Sequence, residues 1–346
     1  LIIGWIQKRQ HHISTLVFLG GFLLDIATLT FLDLQQVELL FTFYLVIVTI
    51  ASFINHLVDT KVNEENTPKF YKTASVISAL TVQFFVSGLL SGFLIFYTKS
   101  SSLLISWPFL LLLALIFLGN EFLREYRYHL TFQTVLLYFS FYAFSIFAVP
   151  VFLGKLGPSI FLISTGIAIA ALAAYLFFLR LLDTTRFRTF LMSTIIACTV
   201  CTGIVVGSYF LNLIPPLPLT LKDGGVYQSV VRTASGYDLA GGQTEKWWDP
   251  RTPQIVIASD GSLSAYTSIF APVAFTAGIE HEWDWYNPKS RTWEEQALIA
   301  FGLTGGREQG YRGYSTKTAV TPGSWRVKVM TQSGQVIGTL RFTAVQ

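Results

Sequence analysis

Apolar runs long enough to cross a bilayer fill most of the first 214 residues and then stop. A spanning helix needs about 20 largely apolar residues to cover a hydrocarbon core about 30 Å thick. Seven stretches meet or approach that length: 13–31, 37–54, 74–97, 103–118, 130–153, 158–181 and 189–213. The fourth is the shortest and carries Pro108, which a helix tolerates in its first turns because the missing N–H has no partner there anyway. Pro215, Pro216 and Pro218 end the last run, and the extended, stiff backbone that they favour keeps the remainder of the chain near the membrane. Only 13% of the 346 residues are charged, against 52% hydrophobic. Soluble domains carry about a quarter charged residues, so the deficit belongs to the first part. The expected organisation is a transmembrane helical domain (1–214), a Pro-rich linker (215–224) and a globular domain (225–346).

Lys and Arg in the connections set the orientation. Lys8 and Arg9 precede the first run. Lys61, Lys69 and Lys72 lie between the second and third, Arg124 and Arg127 between the fourth and fifth, and Arg180, Arg186 and Arg188 around the sixth-to-seventh turn. The alternate connections hold only Lys99 and Lys155. About seven spans with a cytoplasmic N-terminus put the terminal domain in the periplasm or outside the cell, on a multi-pass protein of the plasma (inner) membrane. That outcome depends on the fourth run being a true span.

Polar groups inside spans are costly and mark function by default. Asp25 and Gln83 lie within runs, and Asn55, His56, Glu121 and Gln133 at or near their ends. Conduction needs several such groups converging, so Asp25 is read as paired with a neighbouring helix or a water pocket. Ser87-Gly88 with Ser91-Gly92, and the small face Gly166, Ala168, Ala170, Ala171, Ala173 and Ala174, read as close helix contacts. The aromatics of the fifth run read as packing. Cys198 and Cys201 form a C-x-x-C inside an apolar helix with no basic neighbour to stabilise a thiolate, and read as two buried thiols.

Beyond the linker the hydrophobic period changes from helical to two. Strands are expected at 226–232, 254–258, 263–271, 278–286, 293–301, 313–317, 325–331 and 336–345, with turns at Ser259-Asp260-Gly261 and Ser333-Gly334. Ile279, His281, Trp283 and Trp285 share one face and Glu280, Glu282 and Asp284 the other; Trp325, Val327 and Val329 face the core while Arg326 and Lys328 face water. The fold class is therefore an α-helical polytopic membrane bundle followed by an all-β, immunoglobulin-like antiparallel sandwich.

The tail also resembles a known family. Gly305-Gly306-Arg307, Tyr311-Arg312-Gly313-Tyr314-Ser315-Thr316-Lys317, Pro322-Gly323-Ser324-Trp325-Arg326-Val327 and Gly334-Gln335-Val336-Ile337-Gly338 through Arg341-Phe342 look like the C-terminal signature of the family called domain of unknown function 2914. Phe270-Ala271-Pro272 and His281-Glu282-Trp283 are similar as well. Members carry multi-span regions ahead of this domain. The resemblance implies the domain and its membrane setting; no activity, ligand or catalytic residue is established for the family.

The residues offer no catalytic set. The Gly-rich run from Gly305 to Gly310 has neither a dinucleotide nor a Walker pattern and reads as a loop needing positive φ. The acidic face of 280–284, with Glu294 and Glu295, has the oxygens for calcium or acid–base work, but alternation alone predicts a solvated outer face. His281 reads as a hydrogen-bonded core residue, and no second His or Cys of the outer domain completes a zinc set, so no metal or cofactor is expected. A formal net charge of +4, spread along the chain, gives no nucleic-acid partner. Tryptophan and tyrosine are the suggestive residues: Trp283 and Trp325 as core, and Trp247, Trp248, Tyr286, Tyr311, Arg312 and Tyr314 as candidate ligand- or partner-binding groups. Lipid and a protein partner in a membrane or envelope complex are the expected associates of a non-enzymatic binding subunit. The alternatives are a glycan-binding or glycan-processing protein, and a small-solute or ion transporter using Asp25.

Overall fold

The computed structural model describes residues 20–29, 34–62, 68–99, 103–122, 129–182, 184–216, 219–233, 236–244, 252–271, 276–304 and 310–346. They form two compact units. One comprises Leu1–Phe96, Pro108–Val149 and Leu162–Phe210; the other Tyr97–Trp107, Pro150–Phe161 and Leu211–Gln346.

The helices are α1 (Gly20–Leu29), α2 (Leu34–Val62), α3 (Lys69–Lys99), α4 (Leu103–Phe122), α5 (Leu130–Leu153), α6 (Pro158–Leu182) and α7 (Thr184–Phe210). Among the described residues, six are long and apolar enough to cross a membrane. The fourth run, on which the expected topology depended, is one of them, with Pro108 inside its first turns. Of the first run only Gly20–Leu29 lies within the described residues, and that helix is shorter than a span.

Helix α3 is the hub of the first unit. Its Ser78 hydroxyl donates to Asn55 Oδ1 on α2 (3.0 Å), and the Asn55 amide donates to Gln133 Oε1 on α5 (3.1 Å). Gln83 Nε2 donates to Glu121 on α4 at 2.8 Å, and Asn120 Nδ2 donates to Ser87 Oγ at 2.8 Å. Ser91 donates to the Asp25 carboxylate on α1, so Asp25 is paired with a neighbouring helix, as expected. From Ser78 to Ser91 the helix rises about 20 Å, so these contacts recur through much of a bilayer's depth. Each interhelical bond of this kind contributes about 0.6–2 kcal/mol. The small residues of α3 act as read from the sequence: a Cβ on Gly92 would lie 2.4 Å from Phe41 Cζ, so α2 and α3 approach only because none is there. Those of α6 do not. A Cβ on Gly166 meets nothing within 4 Å, and Ala170, Ala173 and Ala174 are exposed. The aromatics of α5 are mostly packed; Tyr142 is fully buried and its hydroxyl bonds to Thr165 at 2.8 Å.

Among the described residues, the second unit holds eleven strands: β1 (Thr220–Tyr227), β2 (Ser229–Arg232), β3 (Tyr237–Ala240), β4 (Gln243–Thr244), β5 (Gln254–Val256), β6 (Leu263–Phe270), β7 (Thr276–Asn287), β8 (Thr292–Thr304), β9 (Tyr311–Lys317), β10 (Gly323–Thr331) and β11 (Val336–Val345). β1 begins inside the stretch read as linker, and the strand expected at 226–232 divides between the end of β1 and β2. The sheets run β4-β1-β6-β9 and β5-β11-β10-β7-β8, with β2-β3 a separate hairpin. Pairing is antiparallel except between β5 and β11.

Alternation along the strands builds one core between the two larger sheets. Val226, Leu263 and Ala265 from the first meet Trp283, Trp325, Val327, Leu340 and Phe342 from the second. Trp325 stacks on Phe342 at 6.4 Å between centroids, and Trp283 meets the same ring edge-on at 6.2 Å. Leu156 and Leu219 extend the apolar packing to Ile269, Ile279, Val329 and Ile337. The Gln335 amide donates to the Ile214 carbonyl at 3.2 Å, tying the β10–β11 turn to the chain just before β1. In that turn Gly334 takes φ 85°, and a side chain at Gly310 (φ 83°) would also meet Ser268 Oγ at 2.7 Å.

Candidate functional site

The outward side of the five-stranded sheet carries a grouping of charge and aromatic rings that the sequence left unassembled. Register places Arg326 of β10 opposite Asp284 of β7, and Lys328 opposite Glu282. Arg326 Nε donates to Asp284 Oδ2 at 2.7 Å; Lys328 Nζ lies 2.5 Å from Glu282 Oε1 and 3.1 Å from Asp284 Oδ2. The acidic face is therefore not simply solvated. Asp284 is 2% exposed, and cations 42 and 46 residues further along the chain neutralise it and Glu282. Carboxylates held this way are poor candidates for calcium or for proton transfer, and among the described residues no group of three or more His, Cys, Asp or Glu could hold a metal ion.

A β-bulge completes the patch. β7 and β8 pair Trp283 with Ala297 but Asp284 with Glu295, so Gln296 has no opposite residue and the faces of β8 exchange there. Trp293 then lies opposite Tyr286, with centroids 5.3 Å apart, and under the Arg326 guanidinium, 4.5 Å from its ring centre. Asp284, Arg326, Trp293 and Tyr286 form a continuous chain by ion pair, cation–π contact and edge-on ring contact. Trp293, 36% exposed, is its open end. Replacing Asp284 by Ala strands the Arg326 guanidinium, only 24% exposed, and leaves Lys328 with Glu282 alone. The expected loss is about 2 kcal/mol, below the range of about 3–5 for a fully buried pair, read as a lower unfolding midpoint that Arg326→Met partly restores in the double variant.

The sequence-derived candidates do not converge. Trp247 and Trp248 lie outside the described residues, and the glycan reading that depended on them gains nothing. Tyr286 joins the patch. Tyr311 turns inward and packs with Ile269 and Ile279. Tyr314, 39% exposed, meets Tyr237 at 5.9 Å on the four-stranded sheet, where the Tyr237 hydroxyl donates to the Arg312 carbonyl at 3.1 Å. Trp293 and Arg326 were missing from the candidate set. The available signal was an outward Arg on β10, but its aromatic partner sits beyond a bulge that periodicity does not show.

His281 is the second concentration of polar chemistry, and it is enclosed. Its Nδ1 lies 2.8 Å from Ser315 Oγ and its Nε2 3.1 Å from Thr267 Oγ1, while Trp283 Nε1 donates to the same Ser315 oxygen at 3.0 Å. A neutral ring satisfies this set, with Ser315 donating to Nδ1 and Nε2–H donating to Thr267. Burial pushes the His281 pKa down to about 3. With His281 and Thr267 at 0% exposure and Ser315 at 3%, the Ser–His contact is core structure rather than a nucleophile with its base.

These observations define a class: a chain with several membrane-type helices followed by a β domain with a closed aromatic core and an open aromatic–cationic patch. A family model described as "Protein of unknown function (DUF2914)" matches residues 277–344. The matched stretch runs from β7 to β11 and includes Trp283, Trp293, Arg326 and His281. No curated protein matches the chain. Among solved structures, a Kluyveromyces marxianus β-glucosidase is similar at 13% identity over 26% of this chain and 13% of its own, with a TM-score of 0.20. A Listeria innocua β-glucosidase with gluconolactone shows 15% identity over 37% and 16%, TM-score 0.21. The Pseudomonas fluorescens alkylpurine DNA glycosylase AlkC shows 12% identity over 91% and 83%, TM-score 0.24. Likenesses this slight carry neither fold nor activity to this chain.

Proposed function

We propose that this protein is a membrane-anchored, non-enzymatic subunit whose β domain lies outside the cytoplasm and docks onto a protein partner in a membrane or envelope complex. The patch of Tyr286, Trp293 and Arg326 carries the reading. Trp, Tyr and Arg are the residue types that dominate binding energy at protein interfaces, and here they are held in place by Asp284. Trp293 lies on β8 itself, with Tyr286 on the adjacent β7 and Arg326 on β10. Among the described residues β8, 13 residues long, is an edge strand of its sheet and offers its outer row to a partner strand. Truncating a central interface Trp costs about 2 kcal/mol or more, roughly 30-fold in affinity. A gentle detergent pull-down should recover the same stoichiometric chain repeatedly with wild type and lose it with Trp293→Ala. Equal recovery by both variants removes the patch as the docking surface.

The immunoglobulin-like form of the sandwich belongs to this proposal. Sheet orders β1-β6-β9 and β11-β10-β7-β8 correspond to A-B-E and G-F-C-C′ of that fold, with β5 as an extra strand beside G. The fully buried Trp283 on β7 stands where such domains place their strand-C tryptophan. Grouping of the chain supports the orientation. Residues Tyr97–Trp107 and Pro150–Phe161 form a unit with the β domain, and the connections they belong to are the ones poor in Lys and Arg. Reporter fusions after Gln346 should be active for a periplasmic or extracellular reporter and silent for a cytoplasmic one; the reverse pattern refutes the topology.

A further inference from the structure

We infer that a cleft between α2, α5 and α6 holds one acyl chain of a bilayer phospholipid. The cleft has a volume of about 320 Å³ and is walled by Phe53, Leu137, Phe141, Leu172 and Phe178. The small residues Ala168 and Ala171 of α6 also line it. Its size is at the low end of small-molecule sites, about 300–1,000 Å³.

Polarity and depth together select the occupant. Four hydroxyl-bearing residues reach the cleft, and each is already engaged within the protein. Thr49 donates to the Leu45 carbonyl at 2.7 Å, Tyr175 bonds to Ser52 at 2.6 Å and also to Thr134, and Tyr138 bonds to Thr202 at 2.5 Å. A ligand with polar atoms inside the cleft would compete with these bonds, whereas a hydrocarbon leaves them intact. From Ala168 to Phe178 the α6 wall rises about 15 Å, half of a hydrocarbon core about 30 Å thick. That is the depth of one leaflet. Thr49 and Phe53 run from the middle of α2 towards its end, Thr134 to Phe141 lie in the first half of α5, and Ala168 to Phe178 run from the middle of α6 towards its end. The cleft therefore opens in the leaflet on the side of the Lys- and Arg-bearing connections.

The inference rests on the helices lying in a bilayer, and the test separates the two. Membranes carrying the full chain are washed with alkaline carbonate; release of the chain refutes the membrane reading itself. Retained chain is then extracted in mild detergent and analysed by native mass spectrometry with identification of the bound lipid. Wild type should keep one phospholipid per chain. Ala171→Phe, which fills the cleft, should lower retention roughly tenfold, the equivalent of about two methylenes' burial, and Ala174→Leu on the same wall serves if that variant does not fold. Gly166→Ala, on an open surface of the same helix, should retain lipid as wild type does. Equal retention by the filled and open clefts, or retention of a polyisoprenoid or of detergent alone, overturns the assignment.

Discussion

Trp283→Ala is expected to lower the stability of the β domain by about 3–5 kcal/mol, the range for truncating a buried large aromatic. Trp283 is 0% exposed and lies edge-on to Phe342, which in turn stacks on Trp325. Removing its ring leaves a cavity among Leu340, Val327 and Phe342, residues fixed by sheet pairing and unable to collapse into it. It also withdraws the indole N–H from Ser315, loosening the oxygen that bonds to His281. A domain's whole stability is about 5–15 kcal/mol, so a fifth or more would go. Thermal unfolding of the detergent-solubilised chain, followed by tryptophan fluorescence, should show a midpoint about 10–20 °C lower. Trp283→Phe refills part of the volume and should recover part of the loss. A fall of only a few degrees for the Ala variant would mean that the core is centred elsewhere.

Trp283 was recognisable as core because its neighbours alternate, and the same alternation marked His281 and the inward row of β10. Both β7 and β10 could be drawn from the period of two, and Val336–Val345 is a strand to the residue. Alternation tells which side of a strand faces inward; it does not tell which strand lies beside it. That is why Glu282 and Asp284 read as solvated, although β10 brings Lys328 and Arg326 against them. The bulge at Gln296 hid Trp293 for a related reason, since one extra residue reverses the faces on either side of it. In the helices, composition alone marked the spans. It could not distinguish Gly92, where α2 and α3 touch, from Gly166, where nothing touches, because a small residue suits a tight contact and an open cleft equally. The candidate patch was thus half legible: its residue types were visible, and their assembly depended on long-range register.

Lowering the pH from 7 to 5 is expected to destabilise the β domain through His281. It is the sole histidine in the sequence after His129, so its titration is not mixed with that of another imidazole in this domain. Burial pushes its pKa down to about 3 in the folded chain; exposed in the unfolded chain, it returns to about 6.5. Between those values the unfolded state binds the proton and the folded state does not, so stability rises with pH across that window. The contribution is fully present above about 6.5 and is lost progressively as pH falls towards 3, by about 1.4 kcal/mol per unit at the steepest. At pH 5 the loss is about 2 kcal/mol, enough to lower the unfolding midpoint by about 5–10 °C. His281→Gln can still donate and accept towards Ser315 and Thr267 but takes no proton. The variant should be less stable than wild type at pH 7, yet its midpoint should change little between pH 7 and 5. Parallel losses in both proteins over that interval would place the proton uptake on some other group and leave the His281 ring without a role in it.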